Sequence, residues 1–151
     1  NSGKFNFFAG IMMISQTLDF GLKNQEEYTN KYENFNPEIS FTYRPKRGRM
    51  LRFNAIKSNN IPNSIQILPV VYDFNPLYIK RGNPDLTPDN NYSFSGSYVN
   101  HNFTTGLNFY SQISYKYTTN TIVNSEFTND LGIRTTTYVN AGDKDDLYLN
   151  F

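Results

Sequence analysis

At 151 residues the chain has room for one ordinary domain and not for two. Its 14 Lys and Arg against 13 Asp and Glu leave a net charge of +1, so no basic excess points to nucleic acid and no long charge run marks an interaction tail. The absence of Cys removes disulfides, thiolate metal sites and cysteine nucleophiles together.

Taken in chain order, the residues show period-2 alternation and no helical periodicity. A first strand runs over about 4–18, and its middle, Phe5 to Met13, is apolar on both faces, which leaves its orientation open. The stretch 19–36 turns polar around Lys23-Asn24-Gln25-Glu26-Glu27 and reads as a long loop. A second strand is expected over 38–44, with Ile39, Phe41 and Tyr43 on one face and Ser40, Thr42 and Arg44 on the other. Pro45-Lys46-Arg47-Gly48 then marks a tight turn into a third strand, 49–58, with Leu51, Phe53 and Ala55 on one face. If the two apolar rows meet, odd positions pair with odd, and Lys46-Arg47-Gly48 forms a three-residue loop: a type I turn followed by Gly48 at positive φ. That register sets Phe41 opposite Phe53, Tyr43 opposite Leu51 and Thr42 opposite Arg52.

Residues 59–90 hold Pro62, Pro69, Pro76, Pro84 and Pro88, five of the seven prolines, and read as irregular because proline cannot continue a central sheet. A fourth strand, 91–100, alternates Tyr92, Phe94, Gly96 and Tyr98 with Ser93, Ser95 and Ser97. After a short turn at His101-Asn102-Phe103, a fifth strand over 105–118 sets Leu107, Phe109, Ile113, Tyr115 and Tyr117 against Asn108, Gln112, Ser114, Lys116 and Thr118. A loop over about 120–132, a weaker strand over 133–140, a turn at Gly142-Asp143-Lys144 and a seventh strand over 147–151 complete the chain.

Aromatic residues make up 17% of the chain, 12 Tyr and 13 Phe with no Trp, although mean hydropathy is negative. That combination suits a transmembrane barrel, whose strands put aromatics toward lipid and polar residues toward a wet interior. No run of about 18 apolar residues exists, which excludes a membrane-spanning helix. Connections alternating long and short, as in outer-membrane barrels, point the same way. The expected fold is therefore all-β: an antiparallel meander of transmembrane strands, part of a large outer-membrane β-barrel, with Phe94, Tyr98, Leu107, Phe109 and Ile113 outward and Ser95, Asn108, Gln112 and Lys116 toward the lumen. The start at Asn1-Ser2-Gly3-Lys4, almost directly in a strand, fits a removed leader or an internal piece. Seven alternating strands would end on a rising one, which argues for a partial barrel over 1–151, its edges completed by strands of the same longer chain.

The segment Asn75-Pro76-Leu77-Tyr78-Ile79-Lys80-Arg81-Gly82-Asn83-Pro84-Asp85-Leu86-Thr87-Pro88-Asp89 resembles the "NP…GNPDLKPE" segment of TonB-dependent receptors and related outer-membrane barrels of Bacteroidetes-type bacteria, with Thr87 and Asp89 at positions where that family often has Lys and Glu. The resemblance implies a plugged barrel of roughly 22 strands for nutrient uptake. It also implies energy from a TonB complex acting through a plug outside this sequence, and contact with outer-membrane lipid, lipopolysaccharide and an extracellular lipoprotein. Tyr72, Phe74, Tyr78, Lys80 and Arg81 are then candidate ligand-binding residues on an extracellular loop. Read physically, Gly82, Asn83, Pro84, Asp85, Leu86 and Pro88 form a structural motif: Gly82 can supply positive φ, the prolines stiffen the chain, and Asp85 can bond backbone amides.

Other chemistry is sparse, so no catalytic role, cofactor, metal or nucleic-acid partner is expected. His101 is the lone histidine and reads as a turn residue. Asp143-Lys144-Asp145-Asp146 lacks calcium-loop spacing, and the patterns Asn91-Tyr92-Ser93 and Asn102-Phe103-Thr104 arise by chance in an Asn-rich chain. Arg44, Lys46, Arg47, Arg49 and Arg52 form the densest positive cluster, suited to anionic lipid or lipopolysaccharide phosphate, or to a solvated turn. The alternatives to the receptor reading are a small closed eight-stranded outer-membrane barrel with a structural or adhesion role, and a soluble lipocalin-like binder that the polar second face disfavours.

Overall fold

The computed structural model describes residues 3–21, 27–69 and 71–151. Ten strands and one short helix follow in the order β1 (Lys4–Gly21), β2 (Glu27–Arg44), β3 (Arg49–Asn60), α1 (Ser64–Ile67), β4 (Val71–Asn75), β5 (Tyr78–Arg81), β6 (Asp89–His101), β7 (Asn108–Thr119), β8 (Ile122–Thr128), β9 (Arg134–Asn140) and β10 (Lys144–Asn150). They form two sheets. A six-stranded antiparallel meander runs β1-β2-β3-β6-β7-β10, and a smaller sheet runs β4-β5-β9-β8. β1 and β10 stand at opposite edges of the large sheet.

The register carries one alternation across all six long strands. Phe7 faces Phe41, Phe41 faces Phe53, Phe53 faces Gly96, Gly96 faces Ile113, and Ile113 faces Leu149. The adjoining rows are also apolar: Phe5-Tyr43-Leu51-Tyr98 on one side, and Ala9-Ile39-Ala55-Phe94-Tyr115-Leu147 on the other. Rings meet across strands, Phe5 on Tyr43 at 4.3 Å and Phe94 on Tyr115 at 6.5 Å. The opposite face is polar and hydrogen-bonded sideways. Ser40 Oγ donates to Asn54 Oδ1 (2.8 Å), and Asn54 Nδ2 donates to Ser95 Oγ (3.3 Å), so one row of side chains ties three strands. Phe94, Tyr98, Phe109 and Ile113 share the apolar face; Ser95, Asn108, Gln112 and Lys116 share the polar one. β1 places its odd residues with the apolar rows, and Phe8 and Met12 lie exposed on the polar side.

The β2–β3 hairpin has the expected register, Phe41 with Phe53, Tyr43 with Leu51 and Thr42 with Arg52. Gly48 has φ +81°. The turn itself differs in detail. Arg49 N–H donates to Lys46 C=O (3.1 Å), so the glycine is the third residue of the turn rather than the residue that follows it.

Several expectations change, among them the loop over about 120–132, which contains β8. The stretch 19–36 is not a loop: β1 and β2 continue pairing from Gly10-Glu38 to Gly21-Glu27, and only 22–26 lie outside the described residues. Their polarity misled the reading, because strands that extend past an apolar belt keep their backbone pairing while their side chains become hydrophilic. The 133–140 segment is indeed a strand, but it belongs to the small sheet, paired with β8, and not to the meander. Consequently β10 is the sixth strand of the large sheet and runs antiparallel to β7, so the parity argument built on seven strands and a rising last strand fails.

Candidate functional site

Both long connections of the meander emerge at one end of the large sheet, and they build the small sheet together. The first, 61–88, supplies α1, β4 and β5; the second, 120–143, supplies β8 and β9. α1 is a single turn, started by a capping box in which Asn63 Oδ1 accepts from Gln66 N–H and Gln66 Oε1 accepts from Asn63 N–H. β5 pairs in parallel with β9, Tyr78 with Arg134 and Lys80 with Thr136, which joins the two connections into one cap. The stretch 59–90, read as irregular, thus holds a short helix and two strands, of which β5 pairs with a segment far along the chain.

The Gly82–Pro88 motif is the junction between cap and meander. Asn83 N–H donates to Gln66 C=O (2.7 Å), and Asn83 Nδ2 reaches Tyr138 C=O (2.9 Å). Tyr32 Oη donates to Leu86 C=O (3.2 Å), and Asn30 Nδ2 donates to Pro84 C=O (3.0 Å), so β2 holds the motif from the other side. Asn140 clamps Thr87 in both directions: its Oδ1 accepts from Thr87 N–H (2.9 Å), and its Nδ2 donates to Thr87 C=O (2.8 Å). Leu86 is fully inside, 2% exposed.

The local reasons differ from those expected. Gly82 does not have positive φ. It is needed because an added Cβ would collide with the Leu68 carbonyl oxygen. The turn is closed by Asn83, whose Oδ1 accepts from Asp85 N–H (3.0 Å), rather than by Asp85. The carboxylate that does take a backbone amide is Asp89, which accepts from Asn60 N–H (3.1 Å) and from Asn91 Nδ2 (2.8 Å).

The candidate ligand residues separate into two groups. Tyr78 and Lys80 share a face of the small sheet with Thr136 and Tyr138, both buried, and Lys80 Nζ lies 5.4 Å from the Tyr138 ring centre. Thr136 Oγ1 donates to Tyr78 Oη (3.3 Å). Arg81 is exposed and lies on the other face, where it lines a shallow cleft of about 370 Å³ with Asp85, Thr135 and Thr137. Tyr72 and Phe74 belong to β4, and their side chains lie outside the described residues. Thr135 and Thr137 escaped the sequence reading, which had no means of bringing β9 beside β5.

The two-faced meander, with a ring-lined apolar side and a hydrogen-bonded polar side, agrees with a family model described as the outer membrane protein beta-barrel family, which matches residues 1–151. The chain belongs to that family. No curated protein and no solved structure matches it. An outer-membrane β-barrel protein resides in the bacterial outer membrane, and this settles which face meets lipid: the apolar rows point outward and the serine and asparagine rows inward. On β1 the outward row from Phe5 to Met13 covers about 26 Å of strand at 3.3 Å per residue, or roughly 20 Å of depth at a 40° tilt, close to the ~25 Å band such barrels present. In outer-membrane barrels generally, long connections lie outside the cell and short turns face the periplasm.

Proposed function

We propose that this chain supplies barrel strands and an external cap to a TonB-dependent receptor that takes up a nutrient across the outer membrane of a Bacteroidetes-type bacterium. The observation that carries this reading is the fusion of both long connections into one sheet through the β5–β9 pairing, anchored by the Gly82–Pro88 motif. A barrel with only a structural role has no need of a cap built from two connections. A receptor needs a rigid platform at its outer mouth, because a pre-ordered site loses less entropy on binding.

In this reading Arg81, Asp85, Thr135 and Thr137 present the ligand surface. Tyr78 and Lys80 hold the platform from beneath. The open edges of β1 and β10 continue into further strands of a large barrel, since unpaired backbone in lipid costs several kcal/mol per group. The partners are a plug and TonB complex outside this sequence, lipopolysaccharide around the outer rim and an extracellular lipoprotein over the cap. The chain itself performs no catalysis. The eight-stranded alternative would have to close a sheet that has six described strands, with β1 and β10 at its edges.

The test is uptake in a host carrying the intact gene, with and without TonB, screening metal chelates, glycans and peptides. Uptake of one class that requires TonB and weakens in Arg81→Ala supports the proposal. TonB-independent uptake, or none in any class, overturns it.

A further inference from the structure

The end of the large sheet opposite the cap carries the two short turns, and a cleft of about 670 Å³ opens there on the polar face. Its lining includes Lys4, Arg44, Met50, Val99 and His101, all placed on that face by the register. Lys4 and Arg44 are direct cross-strand partners. Their Cβ atoms therefore lie about 5 Å apart, and like charges held opposite each other destabilise a sheet. Arg52 extends the cluster one row inward on the same face, opposite Thr42. With its amide turned to satisfy both neighbours, Asn6 accepts from Arg44 Nη1 at 3.1 Å, a neutral contact that leaves the charge uncompensated.

No carboxylate answers these cations. None pairs with Lys4, Arg44 or Arg52 among the described residues. The rows of the polar face that run through Arg44, Thr42 and Ser40 contain no acid, and the first, Glu38, stands in the row beyond them. Further along the same face the cation Lys116 is matched, with Asp146 directly opposite. The imbalance is thus local to the short-turn end. Met50 and Val99, which pair with each other, add an apolar floor beside the charges. Cations that repel one another across two strands, next to an apolar patch in a cleft of small-molecule size, are complementary to an organic anion.

We propose that Lys4, Arg44 and Arg52 form an anion site on the lumen wall, which takes a solute bearing a carboxylate or phosphate on a small apolar skeleton. Clustered basic side chains are how pores select anions. The site rests on the polar face of the barrel being its lumen. That the solute is the transported nutrient rests in addition on the receptor reading, and narrows that nutrient to an anion. Arg49 belongs to the opposite, lipid-facing side, and Arg47 lies over the Phe103 ring at 4.8 Å, so neither is assigned to the site.

The test is unfolding in urea of the full-length protein extracted into detergent. Citrate or inorganic phosphate is compared with sodium chloride of equal ionic strength, and glucose is the neutral control. Both anions stabilise proteins generally by exclusion from their surface, so the difference between parent and variant is the measure. The parent should gain stability at millimolar anion, and the triple variant Lys4→Gln, Arg44→Gln, Arg52→Gln should need roughly tenfold more anion for the same gain. Lys116→Gln and Arg49→Gln should behave as the parent does. The fold of each variant is checked by the heat-dependent gel shift of the intact barrel. Equal gains in parent and triple variant would reduce the effect to exclusion and overturn the site. Loss of the gain in Arg49→Gln alone would overturn it by placing the anion on the lipid side. No gain in the parent overturns it as well; a triple variant that is then less stable in chloride would show the cations held by carboxylates of a protein segment in the lumen. TonB-independent uptake would overturn the receptor reading and leave this site in place.

Discussion

His101 N–H donates to Gly48 C=O at 2.7 Å, and the His101 carbonyl oxygen occupies the space a Gly48 Cβ would fill. The two short turns therefore touch through backbone atoms as well as through the Arg47–Phe103 contact, and Gly48 answers two demands at once: a φ of +81° and the close approach of a neighbouring strand.

Gly48→Val should destabilise the barrel by more than the ~1–2 kcal/mol that positive φ alone imposes. Gly48→Asn, which tolerates left-handed backbone, should remain impaired because its Cβ still meets His101. Unfolding in urea after extraction into detergent measures both. Full recovery by Asn would show that conformation, and not the contact with His101, governs the position.

Ile113 and Gln112 are neighbours in sequence on opposite faces of β7, and Ile113 sits in the middle apolar row beside Gly96 and Leu149. Ile113→Lys should cost about 2–4 kcal/mol at that depth, whereas Gln112→Lys meets the lumen and costs far less. The adjacent pair Phe109 and Asn108 is a poorer choice for this test, because Phe109 lies opposite Asn100 near the turn, where the penalty falls to about 0–1 kcal/mol. Folded yield in the outer membrane reads the difference; equal yields would contradict the assignment of faces.

Asn140→Ala removes the bonds to both backbone groups of Thr87 and to Asn120 C=O. The expected loss is about 1–3 kcal/mol of local stability, confined to the junction. Hydrogen exchange should accelerate over 83–88 and 120–121 and stay unchanged in β3, β6 and β7. Uniform acceleration would mean that the cap and the meander unfold as one unit.

Gly82→Ala places a methyl group against the Leu68 carbonyl and should loosen α1 and β5 without lowering the amount of assembled barrel. Protease cleavage within 61–88 on whole cells is the measurement. Resistance equal to that of the parent protein would show that the loop accommodates the methyl by a small shift.

What could be read in advance was what period 2 encodes. The apolar rows, the odd-with-odd hairpin and the pairing of Phe41 with Phe53 follow from side-chain alternation, because a slip of one residue would turn Arg52 to lipid. The upper halves of β1 and β2 were hidden, since beyond the membrane both faces of a strand are polar and alternation carries no signal. The cap was hidden for another reason. Thr135 and Thr137 meet Arg81 only through a parallel pairing between segments with no local relation, and nothing in either segment names its partner. The motif from Gly82 to Pro88 was recognisable as a rigid element, but its chemistry was assigned to the wrong atoms: close approach in place of positive φ at Gly82, and Asn83 in place of Asp85.

The β5–β9 pairing also orders events during biogenesis. Asn83 and its partner Tyr138 are 55 residues apart, and the β6–β7 hairpin lies between them. The β2–β3 and β6–β7 pairs can zip from their short turns, but the cap has no such local starting point and must await both of its donors. A barrel caught midway through insertion would accordingly carry its two long connections unjoined, and formation of the β5–β9 ladder would report that both have arrived.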